Sequence, residues 1–214
     1  MTRQQTVWFS ALFLIASVTA LSLPLASVAN AHEKKIEASY SVSDATELSI
    51  EFGVGTVKFE RSSGSDLEVE LTIEETDGKF FGEAELERAE LVAEQKGTRL
   101  DLRVPEQENI KIDWVIRLPQ IASVELDLGV GEISGTLDAA DMNLDLGVGE
   151  VDLVLVGAIA DVKTDVGIGE VKIAGGDSTS NERHFISASG KARGQGDARV
   201  NIDVGIGEIR VEIQ

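Results

Sequence analysis

The chain reads as all-β, and more narrowly as a right-handed β-solenoid or β-helix-like stack of coils about nineteen residues long. Three observations predict this. An octet centred on G-[VI]-G-E recurs as "LDLGVGEI" from Leu126, "LDLGVGEV" from Leu144, "TDVGIGEV" from Thr164 and "IDVGIGEI" from Ile202. Apolar and polar residues alternate on both sides of each octet, the period of a strand with one buried face. Nothing at the spacing of the repeat suggests helices.

From the N-terminus, residues 1–31 have the layout of a secretory signal: Arg3, an apolar run from Val7 through Leu23, Pro24 as breaker, and Ala29-Asn30-Ala31 as a small-x-small cleavage site. The mature chain is then predicted to begin at His32. The alternative is a retained membrane anchor, since the apolar run approaches the length of a span. Residues 32–214 are predicted to form a single all-β domain, with an irregular part over 32–109 and the repeat over 110–214.

Within the irregular part, "IEFGVGTVKFE" from Ile50 is a fainter fifth copy, its Gly53 and Gly55 lying 76 residues before Gly129 and Gly131. Leu67–Ile73, Leu91–Glu94 and Leu100–Val104 read as strands, the last two joined by a turn at Lys96-Gly97. The stretch 83–90, "EAELERAE", is either a short helix or the start of the next strand.

Over 110–214 the first glycines of the pairs, Gly129, Gly147, Gly167 and Gly205, are spaced by 18, 20 and 38 residues. The last gap corresponds to two coils, one of which, near Ile186, has lost the motif. Val124, Leu126 and Leu128 alternate with Glu125 and Asp127; Val151, Leu153 and Leu155 resume the alternation after the next glycine pair. Each unit is thus two short strands joined at a bend, where glycine tolerates positive φ and close approach. In a solenoid the residue between the glycines points inward, whereas in an antiparallel meander sandwich, the alternative, it sits on a hairpin turn and points to water. Val130, Val148, Ile168 and Ile206 are all β-branched and apolar, which favours the solenoid.

One segment carries a resemblance. "IKIDWVIRLPQIASVELDLGVGEI", Ile110 to Ile133, is a strand closing on Val115-Ile116-Arg117-Leu118-Pro119 and followed by short Gly-x-[IV] repeats. Together with the signal, it resembles the bacterial putative-adhesin repeat family of envelope proteins, similar to the head domains of some surface adhesins, over roughly residues 36–214. The resemblance implies an exported, solenoid-like, all-β domain and brings no catalytic residues with it.

The chain has 38 Asp and Glu against 19 Lys and Arg, a formal charge of −19, which excludes nucleic acid as a partner and disfavours anionic lipid. Cysteine is absent, so disulfides and thiolate metal sites are ruled out. A phosphate-binding loop is excluded as well: each motif ends in Glu and runs into a strand, with neither a third glycine before a helix nor a Lys-Ser/Thr pair. His32 and His184 form no ligand cluster in sequence, and no G-x-S-x-G elbow is present. No catalytic or cofactor-binding residue is predicted.

Two residue sets remain. Asp127 with Glu132, Asp145 with Glu150, Asp165 with Glu170 and Asp203 with Glu208 are copied with the backbone repeat. In register they become two ladders of like charge, relieved by water and salt or, as a sharper alternative, by Ca²⁺. A carbohydrate-active β-helix enzyme is another use of such carboxylates, but its sites are single and irregular. The second set is basic: Arg183, Lys191, Arg193 and Arg199, in the degenerate coil, suit an acidic polysaccharide, lipopolysaccharide phosphate or an acidic protein face, or simply offset nearby carboxylates.

The function predicted is that of a non-enzymatic exported module, periplasmic or otherwise of the cell envelope, that binds or scaffolds a polysaccharide or protein. A calcium-responsive structural module and the carbohydrate-active enzyme are the alternatives. The apolar C-terminal coil, with Ile209, Val211 and Ile213 alternating inward, is predicted to mediate end-to-end self-association.

Overall fold

A computed structural model describes residues 33–76, 86–105, 108–184 and 186–214. The predicted signal lies outside the described residues. Twelve strands make up the described fold: β1 Glu33–Ser41, β2 Glu47–Arg61, β3 Asp66–Glu75, β4 Val92–Lys96, β5 Arg99–Arg103, β6 Ile110–Leu118, β7 Ser123–Asp138, β8 Asp141–Val156, β9 Ile159–Ala174, β10 Ser178–His184, β11 Ser187–Arg193 and β12 Ala198–Ile213. In the stretch 83–90, the described residues form one 3-10 turn, Leu86–Arg88. The all-β prediction holds. All twelve strands belong to one mixed sheet, which does not close, in the order β1-β3-β6-β2-β7-β8-β12-β9-β11-β10, with β5 pairing β2 and β4 pairing β5.

Its centre is a parallel block in strict register. Leu126 pairs with Leu144, Leu144 with Ile202, and Ile202 with Thr164. The faint copy in β2 joins the block directly, Ile50 against Leu126 and Gly55 against Gly131. The 76 residues between these motifs therefore hold no missing coils. They supply β5, with β4, beside the first arm of β2 and β6, with β3, beside its second arm, both on the edge of β2 away from β7.

Each long strand folds at its glycine pair into two arms. Before the bend the buried residues of β7 are Val124, Leu126 and Leu128; after it they are Ile133 and Leu137. Leu128 and Ile133 are an odd number of positions apart, so the bend switches which parity faces inward. Both arms contribute to one hydrophobic cluster. They face each other: a Cβ at Gly190, which pairs with Thr164 on the first arm of β9, would lie within 2.8 Å of Val171 and Ile173 on its second arm. The core is the space between the arms, and Trp114 on β6 and Phe52 on β2 pack there with ring centroids 5.7 Å apart.

The bend needs glycine because neighbouring strands approach closely there. A Cβ at Gly147 would lie 2.5 Å from the carbonyl oxygen of Gly129. Gly149 has φ +148°, and its Cβ would penetrate still deeper into the carbonyl of Gly131.

Three expectations are corrected. Val130, Val148, Ile168 and Ile206 do not point inward: they are 43–48 % exposed, on the crest of the bend. The interior is already filled up to the fold by Leu128 and Ile133 and their equivalents, which leaves the apex residue only the outer side. Secondly, the degenerate segment around Ile186 is not a coil but the antiparallel hairpin β10–β11. Thirdly, the C-terminal strand is not a terminal rung. β12 lies between β8 and β9 and is hydrogen-bonded to both along its length, so end-to-end association through an open edge of that strand loses its basis. The stack is therefore not built by adding coils in chain order.

The edge at β9 is covered from within the chain. β11 pairs with its first arm, and on its second arm the Asn181 side chain accepts from the Ile173 N–H at 3.0 Å and donates to the Ile173 carbonyl at 3.2 Å. Asn181 thus stands in for a neighbouring strand at one position. At the bend, the Gly169 N–H donates to the Ile186 carbonyl at 2.8 Å.

Candidate functional site

The strict register converts the repeated octet into columns that run across the strands. At the crest, Val54, Val130, Val148, Ile206 and Ile168 stand in line on β2, β7, β8, β12 and β9. Ile186, 62 % exposed, is held beside the end of that line by its bond to Gly169. These six are all of the exposed large hydrophobic residues among the described ones. More than forty apolar residues are buried elsewhere in the described fold, so the ridge is not a general excess of surface hydrophobicity.

An acidic column runs along each flank. On the first arms Glu51, Asp127, Asp145, Asp203 and Asp165 are in register, and on the second arms Glu132, Glu150, Glu208 and Glu170. The pairing of each Asp with its Glu across a bend, legible in the sequence, is thus realised as two rows on opposite sides of a crest rather than as facing acid–base pairs.

The two rows differ electrostatically. On the Glu side, Arg210 pairs with Glu208 and lies 3.7 Å from Glu150, and Arg183 reaches Glu170 at 2.7 Å. On the Asp side, Asp127, Asp145, Asp165 and Asp203 form no ion pair among the described residues, and Asn143 donates to Asp145 at 3.0 Å. These four carboxylates line a shallow groove floored by Gly147, Gly167 and Gly205. Partial burial raises the Asp203 carboxyl above the ordinary aspartate range, and the neighbouring charges of Asp165 and Asp145 push it the same way. Among the described residues, no group of three or more His, Cys, Asp or Glu side chains is arranged to hold a metal ion. The calcium candidates Asp127, Glu132, Asp145, Glu150, Asp165, Glu170, Asp203 and Glu208 are therefore spread along two rails and form no such grouping.

The four basic candidates are not brought together as one patch. Lys191 and Arg193 share the outer face of β11, with Arg193 3.8 Å from Asp161. Arg183 on β10 turns to the other side and pairs with Glu170. Arg199 is the second residue of β12, where its backbone N–H donates to the Asp141 carboxylate at 2.8 Å. Lys191, Arg193 and nearby Ser178, Thr179, Ser180 and Glu182 line a small depression. That surface mixes both charge signs with hydroxyls.

The ridge was not found by sequence reasoning, although four of its residues, Val130, Val148, Ile168 and Ile206, were singled out. The signal was the odd spacing between the last apolar position before each glycine pair and the first after it, which marks a change of face rather than a continuation.

Among solved structures, the chain is similar to a putative cell adhesion protein from Clostridium sporogenes ATCC 15579, with 20 % identity, a TM-score of 0.49, and 85 % of this chain and 100 % of that one covered. A putative adhesin from Bacteroides fragilis NCTC 9343 aligns at 12 % identity and a TM-score of 0.25, covering 83 % of this chain and 97 % of that one. Another from Parabacteroides merdae ATCC 43184 does so at 11 % and 0.25, covering 86 % and 97 %. No curated protein matches. Residues 27–174, from ahead of β1 to the end of β9, match the family described as the N-terminal domain of toast_rack, DUF2154, and with more than half of its length in that match the protein belongs to this family.

Proposed function

We propose that the protein is a non-enzymatic module of the cell envelope, exported by its N-terminal signal, that binds or scaffolds a protein partner in an adhesin-like manner. The observation that supports this reading is the ridge. A fold that buries its apolar residues so thoroughly leaves six large ones in a single exposed line, and contiguous apolar surface of this kind marks interaction sites. The repeated backbone puts five of them at equivalent positions on neighbouring strands, where the glycine pairs let those strands approach closely. Glycoside chemistry, by contrast, calls for an acid and a base with separated titrations facing one substrate. A row of equivalent aspartates on an open outer face supplies neither the pairing nor the enclosure.

The test is localisation with envelope binding. A C-terminally tagged full chain expressed in its native host is expected in the envelope or periplasmic fraction with its N-terminus at His32, and the purified chain is expected to bind isolated envelopes saturably. Cytoplasmic retention with an intact Met1, or binding that never saturates, would overturn the reading.

A further inference from the structure

We propose that the crest formed by Val54, Val130, Val148, Ile206, Ile168 and Ile186 is a docking rail for a cationic amphipathic helix of a protein partner. The helix would lay its apolar stripe along the crest and direct Lys or Arg to the acidic columns on either side. This deepens the binding reading above and rests on it.

Dimensions and charge select that occupant. Strands lie about 4.8 Å apart, so the six crest residues span roughly 24 Å. An α-helix rises 1.5 Å per residue with a 5.4 Å pitch, so about 16 residues cover the rail, and each crest side chain falls near one turn of the helix. The Asp column lies three residues before the crest and the Glu column two after it, roughly 7–10 Å away along the strands. That is within reach of long basic side chains flanking a helix 10–12 Å across. The Asp column supplies the stronger demand for cations, because Asp127, Asp145, Asp165 and Asp203 form no ion pair among the described residues, whereas the Glu column already holds Arg210 and Arg183. A second copy of this chain fits poorly, since two crests in opposition bring acidic columns against acidic columns. Anionic lipid is disfavoured by the same charges.

The experiment titrates the purified chain with a fluorescein-labelled 18-residue Leu/Lys peptide patterned to form a helix with one Leu face bordered by Lys. A scrambled peptide of the same composition and a Leu/Gln peptide of the same pattern serve as comparators. The patterned Leu/Lys peptide is expected to bind at least tenfold tighter than either, with affinity falling as salt rises. The triple variant Val130→Ser, Val148→Ser, Ile206→Ser keeps every charge and is expected to lose at least tenfold in affinity. Its circular dichroism and melting temperature should match the wild type; should it fail to fold, Val130→Ser and Val148→Ser made singly should each lose about threefold. Asp145→Asn with Asp203→Asn, which keep the crest, should weaken binding and flatten the salt dependence. Equal binding of the scrambled or Gln peptide, undiminished binding by the serine variants, or a crest-dependent dimer in sedimentation would overturn the proposal. Peptide binding without saturable envelope binding removes the envelope reading alone, and the reverse result removes the helix rail alone.

Discussion

Replacing Gly149 by alanine tests the physical reason for the repeat. Alanine at φ +148° occupies backbone space that L side chains rarely enter, a strain of about 1–3 kcal/mol. The added Cβ also collides with the Gly131 carbonyl on β7, so β7 and β8 must part locally. Losing two ladder hydrogen bonds beside the bend costs about 2 kcal/mol more. The sum, about 3–5 kcal/mol, is a large share of the stability of a domain. At 2–4 °C per kcal/mol for a chain of this size, the melting temperature should fall by about 10 °C. Gly157 is the comparator, because it also has positive φ, +119°, but a Cβ there would meet only the Ala139 methyl at 3.3 Å. Urea unfolding of both variants separates backbone strain from strand approach. If Gly149→Ala costs no more than Gly157→Ala, the close-approach argument is wrong.

Four further outcomes follow from the same geometry. Val148→Ser should change stability by less than about 0.5 kcal/mol in urea melts, as befits an exposed apex; a loss above 2 kcal/mol would return that residue to the core. Asp203→Asn should stabilise the fold at pH 7 by about 1 kcal/mol, the screened repulsion from two neighbours roughly 4.8 Å away. Because the folded-state carboxyl is raised above its unfolded value of 3.8, protonation relieves the wild type as pH falls through the folded value, so the variant's advantage should be gone below pH 3.8. Asn181→Ala should cost about 1–2 kcal/mol and speed hydrogen exchange at the Ile173 amide; unchanged exchange would refute the capping role. Calcium chloride and sodium chloride at matched ionic strength should raise the melting temperature equally, and a selective calcium shift would show a site that the two rails do not display.

The columns were readable because the motif is copied: once Leu126, Leu144, Thr164 and Ile202 are aligned in sequence, parallel strands can pair only in that register without breaking the glycine contacts. β3, β4 and β5 were readable from alternation and from the Lys96-Gly97 turn, where Gly97 has φ +66°. Val130 and its equivalents were assigned to the wrong side because branched apolar residues at a corner were read as interior, and a bend that changes parity leaves no local mark except an odd spacing. The fate of β12 was not legible at all. β9 and β8 offer it the same apolar, glycine and acidic columns, so nothing local to "IDVGIGEIRVEIQ" says that it lies between them. The covering of β9 was hidden in Asn181, a residue that looks like any polar position in a loop.

The place of β12 also sets a problem of timing. β7 pairs with β8 across a separation of 18 residues, but β12 pairs with β8 across 58 and with β9 across 38. While a nascent chain lacks its last strand, the unpaired side of β8 sees only β9, which carries the same motif column for column. Direct β8–β9 pairing would satisfy both and shut β12 out. Native topology requires that contact to stay open or to be undone, so the late, long-range closure governs how fast the sheet forms, and slow completion exposes matching strand edges to other chains.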